Sequence, residues 1–202
     1  MDTKKIKINT FGHKGVGIGE IDGKKIFVPK ACKDDVCTIS IQKDKKHFAF
    51  GRLENIVKAS PLRIPSACPV FTKCGGCDYQ FLKYEDELKI KEELVRNQLK
   101  RIGKIIIEEP LSIISSEPNY YRNKAKFHRV KNALGFYDLE YTILEIPECN
   151  IIDKKIMFCY EVVRADKKLM NTNNLDYVII RSSRQEDKTL LNLVSYPHTT
   201  IR

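Results

Sequence analysis

Three cysteines fall in one short run, Cys68-Pro-Val-Phe-Thr-Lys-Cys74-Gly-Gly-Cys77, and further cysteines follow only far downstream at Cys149 and Cys159. A chain that must carry three local thiols and one remote thiol to a common centre has to fold its middle back on its later half. Four thiolates form a soft ligand set, suited to a tetrahedral zinc or a cubane iron–sulfur cluster. Gly75 and Gly76 allow the tight curl that aims Cys74 and Cys77 at one point, because a residue without Cβ accepts positive φ and close approach. Spacing alone leaves Cys149 and Cys159 both open as the fourth ligand. Cys32 and Cys37, and Cys159 if it is not a ligand, read as small buried apolar residues. A disulfide framework fits poorly. Seven cysteines is an odd number, and the Lys-rich start Met1-Asp2-Thr3-Lys4-Lys5 has no apolar leader character. Both features point to the reducing cytoplasm, where clustered thiols bind metal or catalyse.

The net charge of +10 on 202 residues implies a polyanionic partner, of which nucleic acid is the commonest. No apolar run is long enough to span a bilayer, so no membrane role is expected. Residues 1–58 alternate as short strands: Ile6-Lys7-Ile8-Asn9, a hairpin signal at Asp22-Gly23, Lys25 to Val28, Val36 to Ile41, and His47 to Leu53. Five such strands suit a small OB-type barrel. This segment holds thirteen Lys and Arg against seven Asp and Glu, more than half of the net charge. Gly15-Val16-Gly17-Ile18-Gly19 precedes a hairpin rather than a helix, which argues against a phosphate loop and for close-packed barrel glycines.

Residues 59–202 read as an α+β domain with a mainly antiparallel sheet. A proline-punctuated linker, Ser60 to Pro65, leads into the cysteine run. Leu88, Val95, Leu99 and Ile102 give a helix over 84–102, and residues 105–107 are a β-branched run. Ile156, Tyr160, Val163 and Met170 give a second helix over 153–170. Strand-like runs stand at 134–137, 142–146, 177–181 and 189–195.

Two surfaces are candidates for RNA. The barrel offers Lys14, Lys30 and Arg52 with Phe48 or Phe50 as stacking platforms, and Arg63 of the linker joins this set. The segment Tyr120 to Arg129 places Arg122, Lys124 and Lys126 on one side of a strand. The four histidines are scattered. The pairs Glu108-Glu109 and Asp34-Asp35 sit in turn-like polar stretches and receive no acid–base role.

At this point the chain resembles the iron–sulfur RNA uracil-5-methyltransferases of bacteria and archaea, in their amino-terminal half. The marks are Gly15-Val16-Gly17, Phe27-Val28-Pro29 and Ser60-Pro61-Leu62-Arg63 for a TRAM domain. The cysteine run continuing into Gln80-Phe81-Leu82, Tyr84, Leu88 and Lys91, together with Tyr120 to Lys124 and Ile146-Pro147-Glu148-Cys149, marks the central domain. The resemblance implies a [4Fe–4S] cluster on Cys68, Cys74, Cys77 and Cys149, which favours Cys149 over Cys159. It implies ribosomal rather than transfer RNA, specifically 23S rRNA, as substrate, and a monomer. The cluster is expected to be structural, since methyl transfer to a thiolate-activated uracil moves no electron. The family also carries a Rossmann-like domain that binds S-adenosylmethionine and bears the catalytic residues. No glycine-rich cofactor loop of that kind is recognisable. The expectation is therefore that this domain is absent, that the central domain is incomplete at its end, and that the chain alone is inactive, with S-adenosylmethionine entering only through a missing C-terminal part. The competing readings are a zinc- or iron–sulfur-bearing RNA-binding module without methyltransferase activity, and a redox protein.

Overall fold

Alternation sets the first strand, and one irregularity in it shapes the barrel. In β1 (Thr3–Phe11), Ile6 and Ile8 point inward while the lysines between them face water. Ile8 then pairs with Gly19 but Thr10 pairs with Ile18, a bulge that resets the alternation and turns Phe11 inward. β2 (Gly17–Ile21), β3 (Lys24–Val28), β4 (Val36–Asp44) and β5 (Phe48–Lys58) follow. They close as a barrel in the order β1-β2-β3-β5-β4, with β4 returning to β1. Only the β3–β5 pairing is parallel among the described strands of the barrel. Ile6, Ile8, Ile26, Val28, Ala31, Cys37, Ile39 and Ala49 fill the interior. The Asp22-Gly23 turn has positive φ at both residues, as a two-residue hairpin of the primed type needs. Gly19 is a packing glycine: a Cβ there would lie 2.5 Å from the Lys7 carbonyl oxygen and 2.6 Å from Ile6 Cδ1.

This computed structural model describes residues 3–172 and 175–195. The chain divides into two units that interleave along the sequence. Met1–Ser66 with Asp78–Ser115 forms one, and Ala67–Cys77 with Ser116–Arg202 forms the other. Beyond the barrel, the first unit contains α1 (Tyr84–Gln98), which widens into a π turn over Leu99–Gly103 rather than running on as one helix to 102. The β-branched run at 105–107 forms no strand. It belongs to an extended segment gripped by α1: Arg96 donates to the carbonyls of Ile107 and Glu109, and Glu92 accepts from the Leu111 amide at 3.1 Å.

The second unit is built on β6 (Lys124–Val130), β7 (Ala133–Tyr137), β8 (Ile143–Leu144), β9 (Tyr177–Ser182) and β10 (Thr189–Val194). They form an antiparallel sheet in the order β10-β9-β6-β7-β8. Its core stacks Phe127 between Phe136 and Tyr160, with ring centroids 4.9 and 4.3 Å away. The buried Tyr160 hydroxyl donates to the Leu134 carbonyl at 2.7 Å and accepts from the Ile146 amide at 3.4 Å. That second bond draws Ile146 away from the ladder, so the strand expected over 142–146 shortens to two residues. The helix expected over 153–170 is two helices, α2 (Lys154–Ala165) and α3 (Lys167–Met170). Asp166 leaves helical geometry (φ −74, ψ 95) and caps α3 through the Lys168 and Leu169 amides, a role that short acidic side chains favour.

Candidate cysteine site and nucleic-acid interface

Cys68, Cys74, Cys77 and Cys149 all belong to the second unit. The loop is tightly turned, with Phe71 N donating to Cys68 O and Cys74 N to Val70 O. It is laced to the end of β7: Gly75 N donates to Tyr137 O at 3.3 Å, Leu139 N donates to Lys73 O at 3.1 Å, and Cys74 bridges to Asp138. The Asp138 carboxylate in turn accepts from the Glu140 and Thr142 amides and the Thr142 hydroxyl, which fixes the landing point and holds its pKa below the usual carboxylate value. Cys149 sits in the turn before α2, where residues 120–122 exchange backbone hydrogen bonds with 150–153.

Cys77 and Cys149 pack against the core. Burial pushes the Cys68 thiol above its ordinary pKa. A backbone hydrogen bond at Val70 offsets part of this, and the charges of Cys149, Cys74 and Glu148 raise it further. Cys68 therefore lies within electrostatic reach of two other members of the set. Gly76 N donates to Cys74 Sγ at 3.4 Å, the kind of contact that stabilises a sulfur ligand. Donor chemistry and loop path suit a four-thiolate centre. Among the described residues, however, no three Cys, His, Asp or Glu side chains converge closely enough to hold an ion. Cys149 also lines a cavity of about 280 Å³ with Tyr120, Glu148, Lys154 and Phe158. Cys159 lies on α2 against the core, and Cys32 and Cys37 are fully buried.

On the barrel, Phe48, Phe50 and Arg52 alternate outward along β5 while Ala49 and Gly51 face inward. Phe48 and Phe50 are 37% and 41% exposed and join Phe27 in a surface trio with centroids 5.6–5.8 Å apart. Arg52 pairs with Glu54 at 3.0 Å. Lys14 is exposed on a 3-10 turn, with φ 55. Lys30 is buried, and its carbonyl accepts from Arg63 Nη2 at 2.9 Å.

Arg63 does not face solvent as a nucleic-acid contact would. Its guanidinium meets Asp35 at 2.5 Å through Nη2 and at 3.2 Å through Nε, and lies 4.7 Å from the centre of the Phe81 ring. Asp35 is wholly buried and also accepts from the Cys32 and Ser60 amides. Asp34-Asp35 is thus no polar surface turn at its second member. The sequence signal for that burial was the apolar flank on both sides, Ala31-Cys32 and Val36-Cys37.

In the second unit, Lys124 and Lys126 point to the sheet face opposite the core. Arg122 is half-buried and precedes the strand, with its backbone tied to Ile151 and Asp153. Lys126 Nζ lies 3.7 Å from the centre of the Tyr177 ring, a partner that sequence reasoning missed.

Comparison with known proteins places this geometry. The TRAM domain family matches residues 2–53, the barrel. An uncharacterized RNA methyltransferase of Halalkalibacterium halodurans is 37% identical over 74% of this chain and 34% of its own length. One from Clostridium acetobutylicum is 31% identical over 94% of this chain and 45% of its own. The solved tRNA (uracil-54, C5)-methyltransferase of Pyrococcus abyssi, in complex with S-adenosyl-L-homocysteine, shares the fold. Its TM-score is 0.67 over 95% of this chain and 46% of that chain, at 22% identity. The chain thus carries a TRAM domain. Over the part of those proteins that it spans, the chain is similar to proteins named RNA methyltransferases.

These matches overturn the expectation that a Rossmann-like methyltransferase domain is absent. Relatives follow the chain over 94–96% of its residues and the solved methyltransferase over 95%, and in each case the chain spans only part of the matched protein. The chain spans less than half the length of the curated relatives it matches, and what the rest of those proteins carries is no absence in this one.

Proposed function

We propose that this chain is part of an S-adenosylmethionine-dependent RNA (uracil-5-)-methyltransferase of the cytoplasm, monomeric and acting on 23S rRNA, in which the residues described serve to hold RNA. The observation that carries this reading is the joint match of the barrel to TRAM and of the chain to RNA methyltransferases. The solved neighbour bound to S-adenosyl-L-homocysteine supports the cofactor, and no residue of this chain is assigned to it. No helix among the described residues is long and apolar enough to cross a membrane.

In this reading Cys68, Cys74, Cys77 and Cys149 hold a [4Fe–4S] cluster. When bound, such a cluster supplies a rigid cross-link whose assembly is coupled to folding. The chain's own residues do the rest. The lacing of 73–75 to 137–139 orients the loop, the packing of Cys77 and Cys149 against the core limits water, and the outward cations and rings bind RNA. Lysines meet phosphates and position the strand without reading sequence.

The test is iron, acid-labile sulfide and zinc content of anaerobically purified protein, alongside RNA affinity at several salt concentrations. About four irons and four sulfides per chain, lost in Cys68→Ser and Cys149→Ser but kept in Cys159→Ser, are expected. So is RNA affinity that falls steeply with salt. One zinc without sulfide would overturn the cluster assignment, and salt-independent or absent RNA binding would overturn the RNA role.

A further inference from the structure

Among the described residues of the second unit, α2 packs on the core face of the sheet. The other face has a composition that the cationic strand alone does not convey. None of the five strands contains an Asp or Glu. Register places Lys124 opposite Arg181, Lys126 opposite Ile179 and His128 opposite Tyr177 on this face, and on the other side His128 faces Gly135. Gly135 offers no side chain, and His128 sits against the Tyr137 ring instead, with centroids 4.5 Å apart. His128 lies 6.0 Å from Tyr177, and Tyr137 lies 6.5 Å from Tyr141. The four rings thus form a connected series across three strands and the turn after β7. Tyr137 is 40% exposed and Tyr141 83%. Three acids flank the series in sequence, Asp138, Glu140 and Asp176, and of these Asp138 turns its carboxylate onto the backbone and hydroxyl of its own turn.

Aromatic rings on an open antiparallel sheet stack two or three unpaired bases, and flanking cations follow the backbone between them. A protein-docking face would tolerate acids. A sheet without any, bearing rings with cations at its rim, suits a polyanion with flat apolar faces.

We propose that the face formed by His128, Tyr137, Tyr141 and Tyr177 is a stacking platform for the unpaired bases of single-stranded RNA, with Lys124, Lys126 and Arg181 on its phosphates. The proposal rests on the RNA-binding reading above and extends it from one cationic strand to a base-contacting surface.

The test uses the full 202-residue chain and short RNA oligomers containing 5-iodouridine, cross-linked by light and mapped by peptide mass spectrometry, with affinities of variants measured over a salt series. Cross-links are expected on Tyr137, Tyr141, Tyr177 or His128. Tyr137→Leu, which keeps apolar bulk but removes the π face, is expected to weaken single-strand binding about 5-fold or more with an unchanged salt slope. Lys126→Ala is expected to reduce that slope by about one. A base-paired RNA of the same sequence should be insensitive to Tyr137→Leu. Circular dichroism of each variant excludes loss of fold, and the wild-type cross-link map stands without any variant. Cross-links confined to the barrel, with Tyr137→Leu binding like wild type, would overturn this proposal and leave the RNA reading intact. No RNA binding by the wild-type chain would overturn both.

Discussion

Arg63→Met tests whether the linker arginine is a latch or an RNA contact. The substitution keeps apolar bulk over Phe81 and removes the guanidinium. Asp35 is then left wholly buried, with only the Cys32 and Ser60 amides to satisfy it, at 2.7 and 2.9 Å. Removing one partner from a buried pair costs about 3–5 kcal/mol, because the remaining charge stays desolvated. The Arg63 side chain is only 15% exposed and Asp35 not at all, so the discount applied to surface pairs does not apply. Loss of the bond to Lys30 O and of the guanidinium–ring contact with Phe81 acts in the same direction. Asp35→Asn should cost a similar amount, and the double variant should cost clearly less than the sum, since the two residues share one interaction.

The chain has no tryptophan, so urea unfolding is followed by far-UV circular dichroism and joined to hydrogen exchange at the Ser60 and Cys32 amides. Those two amides should lose protection with the global change. A cost below about 1 kcal/mol, the range of exposed pairs, would refute the latch. Weakened RNA binding at unchanged stability would return Arg63 to the nucleic-acid surface.

Three further outcomes follow from the packing. Tyr160→Phe removes the donor to Leu134 O and the acceptor of Ile146 N, and should cost about 1–3 kcal/mol in thermal unfolding. Gly19→Ala puts a methyl group into the Lys7 carbonyl and should destabilise the barrel by about 1–3 kcal/mol or prevent its closure, read by circular dichroism. His128 is held below its ordinary pKa of 6.5, first by burial and then by Lys126. The unfolded chain therefore takes up that proton at a higher pH than the folded one. The ring's packing is fully tolerated above about pH 6.5, and stability falls as the pH drops through that region. His128→Gln should flatten the acid side of a melting-temperature profile, and an unchanged profile would refute the assignment.

The barrel was legible because its signals are local: alternation in β1 and β5, and two residues at Asp22-Gly23 whose backbone preference selects the hairpin. The glycines of 15–19 were readable as packing residues because a hairpin and not a helix follows them. Arg63 was not readable. Its position in a proline-flanked linker looks exposed, and only the tertiary placement of Asp35, far away in sequence, draws it inward. The break at Asp166 was equally hidden, since the apolar stripe continues in phase from Val163 to Met170 and masks a cap. Alternation along β5 made the outward direction of Phe48 and Phe50 readable, whereas the burial of Lys30 was not. The ring series on the second sheet went unseen because His128, Tyr137 and Tyr177 come from three strands, and no single stretch of sequence displays it.

The interleaving of the two units bears on how the chain is made. The polypeptide leaves the first unit after Ser66, returns at Asp78 and leaves again after Ser115. No single proteolytic cut can separate the units, and a gene truncated within the linker strands part of each. During synthesis, Cys68, Cys74 and Cys77 emerge from the ribosome before β6, β7 and Cys149 exist to receive them. Until then the cysteine loop is a nascent segment with reduced thiols and no scaffold. Any centre built on it must be completed late, by the same residues that close the second core.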